Sequence, residues 1–278
     1  MAVVIKSMEL VVTRRRLGML GGFVLAALFL MVLQWHVPGV LAWLAGFWLA
    51  WGDEERAVRR RMGTLFGCVA LLAVCNINTS TEMWNFVQLG SVFGIVIVVP
   101  PLVLRRSDPG VVRYRFIPLR WRWADVIYTV LSVPLAWLVL KGYWAVNPDL
   151  HMQWSLPPAF DEREVRRLFI GINAVGIWDE LFFVNTVFGV LRSLFRFPVA
   201  NAVQAVVYMA VLYDMAFIGI GPLVVYAFAW TQGSMYEKSE GLLWVLVVHL
   251  IVDFFLVAAI VQSYYPDVGL GYLWAHKI

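Results

Sequence analysis

Residues 241–262 read GLLWVLVVHLIVDFFLVAAIVQ. The run is continuous rather than alternating, so it reads as a helix and not as a barrel strand. About 20 such residues cross about 30 Å of hydrocarbon, and a helix satisfies its own backbone groups there. Only two ionisable groups interrupt the run, His249 and Asp253. They stand four residues apart and share one helix face, where they could bond each other or converge on one ligand.

Working outward, similar apolar runs occupy residues 216–235, 198–214, 168–191, 125–145, 84–104, 63–78, 37–51 and 17–34. Eight or nine spans result, since 37–51 and 63–78 are short enough to tilt, re-enter or form a hairpin. Composition agrees. Of 278 residues, 62% are hydrophobic and 14% charged, against about 45–50% and about 25% in a soluble domain. The expected fold class is all-α, a polytopic transmembrane helical bundle that is integral to the membrane and multi-pass. Residues 1–160 form N-terminal helices with basic loops, and residues 161–278 form a C-terminal bundle. The first run follows Arg14–Arg16 as a signal peptide would. No small-residue cleavage site stands out, so a retained helix is expected.

Arg14–Arg16, Arg59–Arg61, the arginines between Arg105 and Arg122, and Arg192 with Arg196 fall on one side if nine spans are counted. By the positive-inside rule that side is cytoplasmic, and so is the N-terminus. Arg163, Arg166 and Arg167 fall opposite, interleaved with Asp161, Glu162 and Glu164. Residues 113–123 alternate arginine with Tyr114, Phe116, Trp121 and Trp123, a headgroup-level belt on anionic lipid. The net charge of +4 and the fourteen tryptophans therefore point to the lipid bilayer as partner and not to nucleic acid. Cys68 and Cys75 are seven apart on one expected helix, too distant for a disulfide.

An ionisable side chain inside a span is costly and marks function by default. Asp179 and Glu180 sit midway along the sixth run, and His249 and Asp253 sit in the last. Asp214 is a weaker fifth case at a helix end. Asn173, Ile177, Glu180 and Val184 form a stripe at α-helical spacing. Gln204, Tyr208 and Leu212 form another, with Asn201 beside it. Buried Asn, Gln and Tyr need partners and often bridge helices, so helix–helix glue is the competing reading of the whole set. His36, His151 and His276 fall at span ends or in loops.

At these residues the chain resembles the CPBP family of intramembrane endopeptidases, which includes the Rce1-type CAAX proteases and the Abi proteins. Three signatures mark that family on successive helices: Glu-Glu-x-x-x-Arg, Phe-x-x-x-His and His-x-x-x-Asn or Asp. Asp179-Glu180-Leu-Phe-Phe is similar to the first, with Val184 in the Arg place and Asn185 where Gly usually follows. The segment from Ala200 to Tyr208 is similar to the second, with Tyr208 in the Phe place and Leu212 in the His place. His249 to Asp253 fits the third unchanged. The resemblance covers roughly residues 165–256. It implies glutamate-type peptide-bond hydrolysis by carboxylate-activated water, on a membrane-associated peptide or protein substrate. Asp179 would be the base with Glu180 beside it, and His249 with Asp253 would stabilise the oxyanion. The departures at Val184 and Leu212 leave open a degenerate, non-catalytic member that binds or chaperones membrane partners. An ion-coupled transporter using the same buried groups is a third reading. No cofactor is implied. A divalent metal at His249 and Asp253, completed by Asp179 or Glu180, is an alternative.

Overall fold

A computed structural model describes residues 13–75, 77–213 and 215–268. Asp214 and His276 lie outside the described residues. Every regular element among those described is helical. In chain order these are α1 (Arg14–Ala27, continuing as a π-helical segment Leu28–Val32), α2 (His36–Trp51), α3 (Arg56–Val74), α4 (Met83–Leu104) and α5 (Trp123–Val146). A 3-10 turn (Pro148–Gln153) leads to α6 (Glu162–Asp179), a π-helix (Glu180–Phe188) and the short α7 (Gly189–Arg192), which together make one continuous rod. Then come α8 (Phe197–Tyr213), α9 (Gly221–Ser239) and α10 (Leu243–Tyr264).

Each apolar run of the sequence lies within or largely within one of these helices. Among the described residues five helices are long and apolar enough to cross a membrane: Arg14–Val32, Met83–Leu104, Trp123–Val146, Glu162–Arg192 and Leu243–Tyr264. His36–Trp51 and Phe197–Tyr213 are apolar but shorter. Two helices begin earlier than hydropathy alone suggests. For α6 the cause is local: Asp161 caps it by accepting from Arg163 N at 2.8 Å, and Glu162 and Glu164 complement the positive end of the helix dipole. Arg166 and Arg167 pair with Glu162 at 3.3 Å and Glu164 at 2.6 Å. Two of the three arginines that break the charge pattern are thereby paired along their own helix.

Successive helices run antiparallel, and contacts among helix ends and loops tie each end of the bundle together. At the arginine-rich end, Arg16 makes two 2.9 Å bonds to Asp53. There Arg61 bonds Asp108 at 2.5 Å and reaches Ser193 Oγ at 3.1 Å. At the other end, Thr81 Oγ1 donates to Glu164 at 3.2 Å and Tyr265 OH to Pro157 O at 2.6 Å. One apolar core runs through both halves of the chain: Phe23 of α1, Phe66 of α3 and Phe93 of α4 share a buried cluster with Phe182, Phe188 and Val207. A second cluster, including Leu140, Leu168, Phe255 and Ile260, seats α10 against α5 and α6. Both cysteines are free thiols.

Candidate active site

Four helical segments bring their polar residues to one point in the middle of this bundle. Asp179 is the last residue of α6 and Glu180 the first of the π-helix. Tyr208 comes from α8, Gln232 from α9, and His249 with Asp253 from α10. Relative exposures are 1% for Asp179, 0% for Glu180, Tyr208 and Gln232, 5% for His249 and 4% for Asp253, so the centre is withdrawn from the protein surface.

Glu180 Oε1 is the hub. It lies 2.7 Å from His249 Nδ1, accepts from Gln232 Nε2 at 3.0 Å, and accepts from Tyr208 OH at 3.3 Å. The tyrosine oxygen also stands 3.1 Å from His249 Nδ1. Gln232 Nε2 donates a second bond, at 2.8 Å, to Val245 O, so one amide joins α9, α10 and the π-helix. A carboxylate oxygen can only accept, which makes Nδ1 the protonated nitrogen and turns Nε2 the other way. Nε2 stands 3.6 Å from Asp253 Oδ1, beyond hydrogen-bond length. The shared face of His249 and Asp253 is therefore real, but the bond of the imidazole goes to Glu180.

The π-helix sets this geometry. Its backbone bonds join residues five positions apart rather than four, and Glu180 and Asn185, five apart, both meet α9. Glu180 meets Gln232 of α9, and Asn185 Oδ1 accepts from Tyr236 OH at 2.7 Å. Gln232 and Tyr236 are four apart on an α-helix, so α9 reads a π-register with an α-register. The stripe expected at α-helical spacing does not form one environment. Ile177 is 36% exposed, while Glu180 and Val184 are 0%. Asn173 donates to Phe169 O of its own helix at 2.7 Å and takes no part in the cluster.

Asn201 acts as an α8–α9 bridge, donating to Trp230 O at 2.9 Å and to Ser234 Oγ at 3.3 Å. Gln204 is wholly buried, and neither of its amide atoms has a hydrogen-bond partner. The site residues that sequence reasoning missed are Gln232 and, for its close approach, Gly176. A Cβ on Gly176 would overlap Asp253 Oδ2 and lie 2.9 Å from His249 Cδ2. Only glycine lets α6 approach α10 this closely. The polar interruption Thr231-Gln232-Gly233-Ser234 in an apolar run was the available signal for Gln232.

A cavity of about 500 Å³ adjoins the centre. Asp179, His249 and Asp253 line it, as do Gly176 and Leu212, while Glu180 stands behind His249 and does not. Leu135 of α5 and Leu223 of α9, which are exposed, also border it and open it sideways. Residues 78–81 border it as well. Asp179 Oδ1, Glu180 Oε2 and Asp253 Oδ2 are buried without a hydrogen-bond partner. Among the described residues no three His, Cys, Asp or Glu side chains converge in a metal-holding group. Val184 is buried, and Leu212 presents an aliphatic wall to the cavity. No family profile, curated protein or solved structure matches the chain.

Proposed function

We propose that the chain is a multi-pass membrane hydrolase, an intramembrane endopeptidase of the CPBP kind, acting on membrane-associated peptide or protein substrates. The observation that carries this reading is the 2.7 Å contact of Glu180 with His249 Nδ1 beside a cavity lined by Asp179 and Asp253. A carboxylate that holds one imidazole nitrogen orients the ring and stabilises the imidazolium once the other nitrogen takes a proton. Asp179 and His249 Nε2 are the groups on the cavity side able to remove a proton from water as its oxygen attacks a carbonyl carbon. Whichever of the two took that proton, the imidazolium or the Asp179 carboxyl, then returns it to the departing amine nitrogen. Asp253 stands 3.6 Å from Nε2, close enough for its charge to favour the imidazolium. The antiparallel order of the helices supports nine passages, with the arginine-rich end and the N-terminus cytoplasmic and the exposed Phe116, Trp121 and Trp123 at headgroup level. Asp179→Asn, Glu180→Gln and His249→Ala are to be compared for cleavage of co-expressed membrane substrates. Undiminished cleavage in all three rejects the proposal.

One observation favours a second reading, a non-catalytic protein that binds membrane partners. Leu212 lines the cavity at the place where the resemblance calls for a second histidine. Full cellular function in those three variants would select it.

A further inference from the structure

We propose that the cavity beside Asp179 and Asp253 binds a lipophilic cation, an organic ammonium whose apolar body fills the chamber and whose charge rests against the two carboxylates. The charge balance is the first argument. Three carboxyl groups and one imidazole meet at the centre, and Glu180 is matched to His249. Among the described residues no Lys or Arg lines the cavity. Asp179 and Asp253 line it, and one oxygen of each, Asp179 Oδ1 and Asp253 Oδ2, is buried without a hydrogen-bond partner, on residues 99% and 96% buried by the exposures given above. A buried polar atom without a partner carries a penalty of about 1–3 kcal/mol, and more if charged. A cation held in the chamber between the two residues would offset this penalty for both carboxyl groups.

The walls supply the second argument. Apart from the two carboxylates, His249 and Thr231, the lining near α6, α9 and α10 is apolar, and Trp178 and Phe228 are part of it. Aromatic faces attract ammonium groups once these leave water. A neutral hydrocarbon would fill the volume and leave the carboxylates unpaired; an anion would be repelled by them. The volume lies in the range of small-molecule sites, about 300–1,000 Å³. Entry has two sides: polar residues 78–81 border one end, and the exposed Leu135 and Leu223 border a lateral opening. An amphiphile can approach from the bilayer and lead with either part. The inference goes beyond hydrolysis, because binding is measured without turnover.

The probe is tritiated decyltrimethylammonium, titrated onto the full chain in phosphatidylcholine nanodiscs, with empty nanodiscs subtracted. Saturable binding is expected, displaced by unlabelled cation at concentrations at least tenfold lower than by decanol. Affinity is expected to fall at least tenfold in Asp179→Asn and in Asp253→Asn, and to hold in Asp125→Asn, a buried carboxyl that does not line the cavity. Equal displacement by decanol, no saturable binding, or undiminished affinity in both cavity variants overturns the proposal. The decanol arm needs no variant to fold. A protein that binds the cation yet cleaves nothing keeps this inference and loses the hydrolase reading. A protein that cleaves but does not distinguish the cation from decanol loses only this inference.

Discussion

Two sets of buried carboxylates divide the molecule. Asp53 and Asp108, at the arginine-rich end, are 4% and 7% exposed and each is held by guanidinium groups. Asp179, Glu180 and Asp253, in the middle, share a single imidazole, and each retains an oxygen without a hydrogen-bond partner. The first set has the completeness of a structural clasp. Arg16 ties α1 to the α2–α3 turn, and Arg61 ties α3 to the segment after α4 and to Ser193 beyond α7. The second set is arranged at a standing cost to the fold, and groups kept at such a cost are where chemistry or ligand binding is to be sought. The difference teaches that burial of charge alone does not mark a site; incomplete pairing beside a cavity does.

The sharpest way to break the comparison is at the hub. Glu180→Gln is nearly isosteric and keeps an accepting oxygen, so the fold should persist, while cleavage should fall about 10²–10⁴-fold, the usual worth of acid–base assistance. An unaltered rate would place Glu180 with the structural carboxylates. Gly176→Ala forces a methyl against Asp253 and His249. A displacement of about 1 Å can cost about a hundredfold in rate, so activity should drop about 10–100-fold. If the rate in Gly176→Ala stays at the wild-type level, the close approach of α6 to α10 does not matter.

Stability should sort the sets in the opposite sense. Asp108→Asn removes the charge that Arg60 and Arg61 share and should lower unfolding free energy by about 1–3 kcal/mol, read from denaturant midpoints. Asp179→Asn replaces a carboxyl, paired by no cation, with a neutral amide of the same shape and should leave stability unchanged or higher. Reversal of that order would undo the distinction. The smallest effect is on pH dependence. The Arg16 bond, outweighing burial, holds the Asp53 carboxyl below its ordinary value. Burial pushes Asp108 up, but the bonds from Arg61 and Ser107 and the charges of Arg61 and Arg60 together bring it below its ordinary value. A depressed folded-state pKa contributes stability that is present above the unfolded value and disappears as pH falls through the folded one. The thermal midpoint attributable to the clasps should therefore be flat from about pH 7 to 5 and decline only below about pH 4. A decline between pH 7 and 5 that vanishes in Asp53→Asn/Asp108→Asn would contradict this.

Much of the fold is legible in the sequence because hydrocarbon-length apolar runs leave few alternatives to a helix. Residues 241–262 and α10 coincide closely, and the face shared by His249 and Asp253 follows from four-residue spacing in a helix that is α throughout. The site is less legible where the periodicity changes. Residues 180–188 are π-helical, so arithmetic at 3.6 residues per turn groups Glu180 with Val184, whereas the folded chain aligns Glu180 with Asn185. Nothing in the hydropathy of this stretch announces five-residue spacing. The partner of His249 also could not be read from spacing on α10, because Glu180 arrives from another helix. Gln232 escaped for a simpler reason: one amide hardly lowers the mean hydropathy of an apolar run.

The Glu180–His249 bond is the point on which the account turns. Nitrogen-15 spectra of histidine-labelled protein in nanodiscs, with His249 assigned by its loss in His249→Ala, measure it directly. A protonated, strongly hydrogen-bonded Nδ1 is expected, whose resonance shifts in Glu180→Gln and stays in place in Asp108→Asn. A His249 signal protonated at Nε2, or one indifferent to Glu180→Gln, would contradict it.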